Sequence, residues 1–171
     1  KLAENLRGPA YLVPHEEIVR RAEEAWERGA TEVCLQGGIH PAFTGDYYAS
    51  VVDAIHRAVP GLHIHAFSAL EAWQGAATLG LPLDAYLTRL RDLGLGSLPG
   101  TAAEILDDEI RAIICPDKVS TAQWLDVHAT AHRVGLRSNV TMMFGHVEGP
   151  RNQARHLLRA REQQAESGGF T

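Results

Sequence analysis

The chain has 171 residues, with 16 basic and 21 acidic side chains, a formal net charge of −5 and 45% hydrophobic residues. This composition is that of one globular domain with an ordinary core, and it excludes intrinsic disorder. The acidic balance argues against a nucleic-acid partner, because no basic stripe is available for a phosphate backbone. No apolar run approaches the roughly 20 residues that span a bilayer. We therefore expect no membrane partner and a reducing, cytoplasmic setting.

Short β-prone segments alternate with amphipathic helices along the chain. Each β-prone segment begins at a glycine, and these glycines are separated by 32, 33 and 41 residues, a period that fits one strand, one helix and two loops. The predicted strands lie within residues 29–36, 61–68, 94–99 and 135–144. The predicted helices are residues 15–28, 47–59, 102–114, 121–134 and 151–166.

This order of elements predicts parallel strands joined by right-handed crossovers. The short, helix-flanked strands predict an α/β fold that is part of a (βα) barrel, with about four βα units, while a doubly wound open sheet stays as the alternative. In both architectures ligands bind at the carboxyl ends of the strands. The residues that follow each strand are therefore the candidate site.

The first strand is followed by Gln36, the pair Gly37 and Gly38, and then His40 and Pro41. Glycines lack a Cβ, so the main chain can approach a ligand closely there, and a ligand amino or carboxylate group is the expected partner. A tight turn without a ligand explains the two glycines equally well. Pro41 fixes the turn and places His40 at the rim of the site.

The next two strand ends also carry polar residues. His63 and His65 lie on one side of the second strand, where they could donate hydrogen bonds or carry protons if that side faces a barrel interior. The alternative is one buried, hydrogen-bonded histidine and one near the surface. After the third strand, Thr101 and Glu104 have the spacing of a capping box, which we favour. The same helix N-terminus could also bind a ligand carboxylate.

Three further groups of residues have patterns that allow a functional or a structural interpretation. Thr141, Met143 and His146 share the cavity side if the fourth strand extends through residue 144, and the thioether then forms an apolar wall. His128 and His132 have metal-chelating helical spacing, but a solvated pair is the favoured interpretation, as is a solvated first-turn face for the acidic residues 107–109. The chain carries no nucleophile elbow, phosphate loop or dinucleotide fingerprint, so the reaction stays unspecified.

Four phrases of the sequence, residues 29–41, 63–68, 98–109 and 141–146, closely resemble the FO synthase family of radical S-adenosylmethionine enzymes. The resemblance is to the tyrosine-using half, which is called CofH when separate and forms part of the fused FbiC protein. Menaquinone-pathway relatives, aminofutalosine synthase and dehypoxanthine futalosine cyclase, share the Gly-Gly-x-His-Pro phrase. They are less similar over residues 99–104, so they are the runner-up.

The resemblance implies a barrel in which a 4Fe-4S cluster reduces S-adenosylmethionine to methionine and a 5′-deoxyadenosyl radical. It implies that the radical acts on L-tyrosine, whose 4-hydroxybenzyl part joins 5-amino-6-(D-ribitylamino)uracil in deazaflavin and coenzyme F-420 biosynthesis. A CofG-type partner or fused half is also implied.

The resemblance, together with position at the strand ends, gives each candidate residue a role. The Gly-Gly turn of such enzymes contacts the amino group of S-adenosylmethionine. The expected cofactor-binding residues are Gln36, Gly37, Gly38, His40, Thr101 and Glu104. The expected substrate-binding residues are His63, Ser68, Thr141 and Met143, and the expected catalytic residues are His65 and His146.

The sequence departs from the family in its cysteines. The family holds its cluster with a C-x-x-x-C-x-x-C loop after the first barrel strand, whereas Cys34 and Cys115 stand 81 positions apart and cannot imitate it. We therefore expect residues 1–171 to be a single incomplete barrel domain, with the first and last strands and all metal ligands outside the chain. Alone it is expected not to cleave S-adenosylmethionine. A third alternative is a non-catalytic barrel remnant that binds a nucleoside-like ligand.

Overall fold

A computed structural model describes residues 12–171. One parallel sheet contains β1 (Glu32–Leu35), β2 (His63–Ala66), β3 (Leu95–Leu98) and β4 (Arg137–Ser138). The helices are α1 (His15–Glu27), α2 (Gly45–Ala58), α3 (Ala69–Leu79), α4 (Leu83–Asp92), α5 (Asp108–Ile114), α6 (Thr121–Arg133) and α7 (Pro150–Ser167). Within the described residues, no helix combines the length and apolar character needed to cross a membrane.

The strand order decides between the two α/β alternatives. Each strand pairs in parallel with the next strand along the chain, in the order β1-β2-β3-β4. A doubly wound sheet reverses its strand order at a switch point, whereas a (βα) barrel adds parallel strands in one direction. The fold is therefore part of a (βα) barrel, and the predicted fold class is confirmed.

The two faces of the sheet have opposite character. On one face Ile64 and Leu98 are almost fully buried, and they pack with Ile55, Leu87 and Trp124 from the helices. The opposite face of β2 carries an exposed His63 and a half-buried His65. Because side chains alternate along a strand, the helices cover one face and leave the polar face as the barrel interior.

Four of the five predicted helices are confirmed with ends within two residues, namely α1, α2, α6 and α7. The sequence prediction assigned no element to residues 69–92, which form α3 and α4. Gly75 interrupts the apolar pattern there, and it is the residue of α3 against which the Tyr86 side chain of α4 packs closely. A Cβ on Gly75 would lie 2.5 Å from the Tyr86 hydroxyl oxygen, whose O–H donates to the Gly45 carbonyl at 3.1 Å.

The prediction of a helix from residue 102 is wrong at its start, and so is the predicted capping box. Ala102 and Glu104 have φ values of 62° and 46°, which a helix does not allow. Helix α5 begins at Asp108, and the side chain of Asp107 caps it. Among residues 12–171 the Thr101 hydroxyl has no hydrogen-bond partner, so it does not cap α5.

Asp107 also departs from the predicted solvated acidic face. It is 3% exposed, and its carboxylate accepts hydrogen bonds from Asn152 and Arg155, each at 2.9 Å. Although burial opposes ionisation and raises the pKa of Asp107, these two donors outweigh it and lower the pKa overall. Asp107 therefore ties the start of α5 to α7, while Asp108 and Glu109 are exposed as predicted.

The prediction of a strand through residue 144 is also wrong, because β4 ends at Ser138. The following segment turns back to the loop after β3. The Thr141 hydroxyl donates to the Gly100 carbonyl at 2.7 Å, and the Met143 N–H donates to the Glu104 carbonyl at 2.8 Å. Thr141 and Met143 are therefore held by the third strand end and not by a fourth extended strand.

His128 and His132 form no solvated pair, so that interpretation is wrong. His128 is 0% exposed, and its ring lies 3.9 Å from the Trp124 ring centroid. The His132 ring is hydrogen-bonded to Ser167 at 2.6 Å and to Ser138 at 2.8 Å. Both imidazoles are structural, and together they pack α6 against β4 and α7.

Replacing His128 by Leu is expected to stabilise the fold, because neither ring nitrogen of His128 has a hydrogen-bond partner within the described part of the chain. Removing two buried, unpaired polar atoms is expected to raise the free energy of unfolding at pH 7 by about 1–2 kcal/mol. Burial also lowers the pKa of His128 to about 3. Below pH 6.5 the unfolded chain therefore takes up a proton that the native state does not bind. The native state of the parent chain loses about 1.4 kcal/mol of stability per pH unit through this histidine.

Urea denaturation of the parent chain and of the His128→Leu variant at pH 7 and pH 5 measures both effects. The stability gap between the two proteins is expected to be about 2 kcal/mol larger at pH 5 than at pH 7. The exposed His146, replaced by Leu, is the control and is expected to leave this pH dependence unchanged. An equal gap at both pH values would contradict the buried, neutral state of His128.

Candidate functional site

The carboxyl ends of β1, β2 and β3 and the segment after β4 meet at one edge of the sheet. Cys34 of β1 is in register with His65 of β2, and His65 is in register with Ser97 of β3. The sequence-predicted residues 36–40 and 100–104 follow β1 and β3, and residues 65–68 are the last two residues of β2 and the two that follow it. The parallel register therefore brings the predicted strand-end residues to one side of the molecule.

Glu71 holds the Gly-Gly turn in place. Its side chain is almost fully buried, and one carboxylate oxygen accepts the Gly37 N–H at 2.6 Å and the Gly38 N–H at 2.7 Å. The other oxygen accepts the N–H and the hydroxyl of Ser68, each at 2.7 Å. Glu71 thus joins the end of β1 to the end of β2. Sequence reasoning missed it, although the Ser68-x-x-Glu71 spacing is a capping-box signature.

These contacts limit what the Gly-Gly turn can offer to a ligand. Both glycine N–H groups bind Glu71, and the Tyr48 hydroxyl donates to the Gly38 carbonyl at 3.0 Å. The turn therefore presents the remaining carbonyl lone pairs and the exposed Gln36 amide. A ligand amino group fits this arrangement better than a carboxylate does. Gly38 has a φ of 67°, a conformation that favours glycine, and within the described residues there is open space beside it. The turn also borders a cavity of about 460 Å³ that lies mainly on the helix-covered side of β1, where Val33, Leu35, Val51 and Ile55 line it.

His40 lies exposed at the rim of this site, as predicted. Its Nδ1 accepts a hydrogen bond from the Ala42 N–H at 3.1 Å. Its ring lies 4.7 Å from the ring of Phe43, which is buried. The turn after Gly38 therefore fixes His40 on an aromatic support.

A hydrogen-bonded chain crosses the polar face of the sheet. The Ser97 hydroxyl lies 2.7 Å from His63 Nε2 and 2.7 Å from His65 Nδ1. His65 Nε2 lies 3.3 Å from the Asn139 side-chain nitrogen, and the Asn139 oxygen accepts the Gly100 N–H at 2.5 Å. Burial lowers the pKa of His65. Sequence reasoning singled out both histidines but missed Ser97 and Asn139, whose alignment depends on the strand register.

The loop after β3 is held by a buried arginine that the sequence prediction missed. The Arg111 side chain is 4% exposed, and its guanidinium donates to the carbonyls of Ala102, Ala103 and Val119. These contacts fix the left-handed backbone at Ala102. Non-glycine residues in that region store strain that the surroundings must hold, and such strain is typical of functional loops.

Glu104 and His146, two further predicted site residues, have partners of their own outside the hydrogen-bonded chain through His65. The Glu104 carboxylate pairs with the Lys118 ammonium group. His146 is exposed, and its N–H donates to Glu148 at 2.9 Å. The N–H groups of Gly145 and its neighbours lower the pKa of Glu148 to about 2. Among residues 12–171, the His146 side chain makes no hydrogen bond, so the structure does not join it to the chain through His65.

One group of side chains has the composition of a metal site. Ligand atoms of Glu32, His63 and His65 all lie within 4.8 Å of one another. However, His63 Nε2 and His65 Nδ1 are both hydrogen-bonded to the Ser97 hydroxyl. The two cysteines form no ligand set: Cys34 is exposed in β1, and Cys115 is buried at the end of α5.

Comparison with known proteins agrees with this geometry. Residues 3–158 match the sequence profile described as the Radical SAM superfamily. The chain belongs to this superfamily. A crystal structure of HydG, a maturase of the FeFe hydrogenase, superposes with a TM-score of 0.65 at 16% identity over 96% of this chain and 36% of that chain. At this identity the match concerns the fold alone, and it agrees with the partial (βα) barrel described above.

The chain is also similar to curated relatives. The FO synthase of Streptomyces avermitilis is 47% identical over 162 residues, which are 95% of this chain and 19% of that protein. The 5-amino-6-(D-ribitylamino)uracil–L-tyrosine 4-hydroxyphenyl transferase of Methanothermobacter thermautotrophicus is 45% identical over 96% of this chain and 45% of that protein. The transferase of the same name from Archaeoglobus fulgidus is 46% identical over 94% of this chain and 47% of that protein. The chain therefore spans less than half the length of these relatives.

Proposed function

We propose that the chain supplies the cofactor- and substrate-binding part of a radical S-adenosylmethionine transferase. The enzyme would join the 4-hydroxybenzyl group of L-tyrosine to 5-amino-6-(D-ribitylamino)uracil. The observation that carries the proposal is the 45–47% identity, over 94–96% of the chain, to proteins named for this reaction. The polar sheet edge gives the matched segment a site at the position where (βα) barrels bind their ligands.

The residues at the Gly-Gly turn fit S-adenosylmethionine, whose methionine part carries an amino group. Glu71 occupies both glycine N–H groups, so the backbone at the two glycines offers only carbonyl acceptors, and Gly38 leaves open space. Gln36, Gly37 and Gly38 would therefore hold the amino group, and His40, Thr101 and Glu104 are proposed around the remainder. When bound, the cofactor and a reduced 4Fe-4S cluster supply the 5′-deoxyadenosyl radical.

The residues of this chain do not fit the cluster itself. Cys34 and Cys115 lie on different elements, one exposed and one buried, and three closely spaced thiolates are needed. The proposal therefore places the cluster ligands outside residues 1–171 and treats the chain as one incomplete barrel domain. Both thiols are unpaired, which is consistent with the proposed cytoplasmic setting.

The substrate side is proposed to lie on the polar face and at the ends of β2 and β4. His63, Ser68, Thr141 and Met143 would contact substrate, and His65 and His146 are the predicted catalytic residues. Ser68 is 7% exposed and already bound to Glu71, so it is suited to shaping the site. A CofG-type partner or fused half remains a prediction.

The proposal is tested with the protein that carries this segment together with a cluster-binding loop. After anaerobic reconstitution with iron and sulfide, it is given S-adenosylmethionine, dithionite, L-tyrosine and 5-amino-6-(D-ribitylamino)uracil. Mass spectrometry is expected to detect 5′-deoxyadenosine and the 4-hydroxybenzyl adduct of the uracil. The 171-residue chain alone, treated identically, is the control and is expected to give neither product.

Two outcomes contradict the proposal. Turnover of futalosine-type substrates, with no adduct from tyrosine, would assign the protein to the menaquinone-pathway relatives. Absence of 5′-deoxyadenosine from a protein with a fully loaded cluster would favour the non-catalytic barrel remnant. Product from the 171-residue chain would contradict the placement of the cluster ligands outside it.

A further inference from the structure

The hydrogen-bonded chain on the polar face has a direction that its geometry determines. A backbone N–H can only donate, so the Asn139 atom that faces the Gly100 N–H at 2.5 Å is the amide oxygen. The Asn139 side-chain NH₂ group therefore faces His65 Nε2 at 3.3 Å. An NH₂ group can only donate, so His65 Nε2 is an acceptor and carries no proton.

This assignment propagates to the other ring nitrogen. A neutral imidazole holds one proton, so His65 must carry it on Nδ1 and donate it to the Ser97 hydroxyl oxygen at 2.7 Å. Ser97 then has its own proton left for His63 Nε2, also at 2.7 Å. The carboxylate of Glu32 lies 3.7 Å from His63 Nε2, beyond hydrogen-bond distance, and does not compete.

We infer that Asn139, oriented by the Gly100 N–H, locks His65 as a neutral imidazole protonated on Nδ1, and that Asn139 and Ser97 are positioning residues of the barrel interior. A protonated His65 would place an Nε2–H against the NH₂ group of Asn139, with two donors facing each other. Turning the Asn139 amide does not relieve this, since it would place NH₂ against the Gly100 N–H.

The inference goes beyond the proposed function because it assigns a protonation state to His65 and a donor or acceptor role to each of its ring nitrogens. In this arrangement both ring nitrogens of His65 are bound within the protein, so its ring position is set. The inference therefore replaces the predicted proton transfer by His65 with a fixed neutral ring in the barrel interior. The position of Gly100 explains why the lock is tight. A Cβ there would lie 2.2 Å from the Asn139 backbone oxygen, so only glycine allows this close approach.

The groups that face His65 come from three neighbouring segments. Glu32 and Cys34 on β1 and His63 on β2 are the titratable ones, while Ser97 and Asn139 carry no charge. The Asn139→Asp variant changes the lock with a nearly isosteric side chain. One Asp oxygen can still accept the Gly100 N–H, and the other then accepts a proton from His65 Nε2.

Nitrogen-15 NMR of the histidine side chains tests the inference on the 171-residue chain, without any enzyme activity. In the parent chain, His65 is expected to show an unprotonated Nε2 and a protonated Nδ1. In Asn139→Asp, Nε2 is expected to become protonated and the pKa of His65 to rise by about 1–2 units. The signals of His40 and His146 are internal references and should stay unchanged.

The Ser97→Ala variant separates this lock from a general packing effect. It removes the partner of both rings but leaves Asn139 facing His65. His65 is therefore expected to keep its Nδ1 proton, while His63 loses its fixed tautomer. The backbone amide spectrum of each variant establishes that it is folded, and Asn139→Ala provides a second variant if Asn139→Asp does not fold.

Three results would overturn the inference. The first is an Nε2-protonated His65 in the parent chain. The second is an unchanged protonation of His65 Nε2 in a folded Asn139→Asp variant, or an unchanged pKa of His65 in a folded Asn139→Ala variant. The third is coordination of added Zn²⁺ by His63 and His65, which would show that Glu32, His63 and His65 form a metal site. None of these readouts depends on the proposed reaction, so failure of that proposal leaves this test intact.

Discussion

Replacing Glu71 by Gln is expected to lower the free energy of unfolding by about 3 kcal/mol and to release the Gly-Gly turn. Four donor groups converge on the Glu71 carboxylate, from Gly37, Gly38 and Ser68. A glutamine amide has one acceptor oxygen and one NH₂ group. In one orientation its NH₂ group faces the two glycine N–H groups. In the other it faces the Ser68 N–H, while the Ser68 hydroxyl can turn to accept. Either way at least one buried or partly buried N–H loses its acceptor.

Urea denaturation measures the loss of stability, and hydrogen exchange at Gly37 and Gly38 measures the release of the turn. The two glycine amides are expected to exchange at least about tenfold faster in Glu71→Gln, because the local opening no longer breaks two hydrogen bonds. Glu23, an exposed residue of α1, replaced by Gln is the matched control, with a change below about 0.5 kcal/mol. A Glu71→Gln variant as stable as this control would contradict the role of Glu71.

The sequence predicted the regular elements well where the apolar period is long. Helices α1, α2 and α6 each present an apolar stripe over three turns or more, and that period determines their place. Helix α7 is highly charged, and its buried side chains are His156 and Gln163. The parallel sheet followed from the alternation of strands and helices. The strand order did not follow from the sequence, because it depends on which strands pair, and only the order β1-β2-β3-β4 decides between a barrel and an open sheet.

The errors arose where tertiary contacts override a local pattern. Thr101 and Glu104 have the spacing of a capping box, but the Arg111 guanidinium holds the backbone at Ala102 in a left-handed conformation. His128 and His132 have the spacing of a surface pair, but β4 and α7 pack against that face of α6 and bury it. Neither partner is adjacent in sequence, so no local pattern could reveal these contacts.

The candidate site divides in the same way. The glycines and histidines at the strand ends are visible in the sequence because their types are unusual there. Their supports are common residues, Ser97 and Asn139, which become informative only when parallel register places them beside His65. Glu71 is the exception, since its spacing from Ser68 was readable in the sequence, but its reach to the Gly-Gly turn was not.

The Arg111→Lys variant is expected to lose about 3–4 kcal/mol of stability although the charge is kept. The guanidinium reaches in two directions: Nη1 donates to the carbonyls of Ala102 and Ala103, while Nε and Nη2 donate to the Val119 carbonyl. A lysine ammonium is a single point and cannot contact both sides at once. The charge would remain buried with part of its hydrogen bonds missing, and carbonyl groups of the strained loop would lose their donors.

Chemical denaturation of Arg111→Lys measures this loss, with Arg161→Lys on the exposed face of α7 as the control that is expected to change stability by less than about 0.5 kcal/mol. A second readout is the amide spectrum of residues 101–107, which should shift in Arg111→Lys because the backbone at Ala102 loses its donor. If both lysine variants were equally stable and the loop signals stayed in place, the left-handed backbone would be held by local preference alone. Since a non-glycine residue pays for that conformation, we expect the guanidinium to be what maintains it.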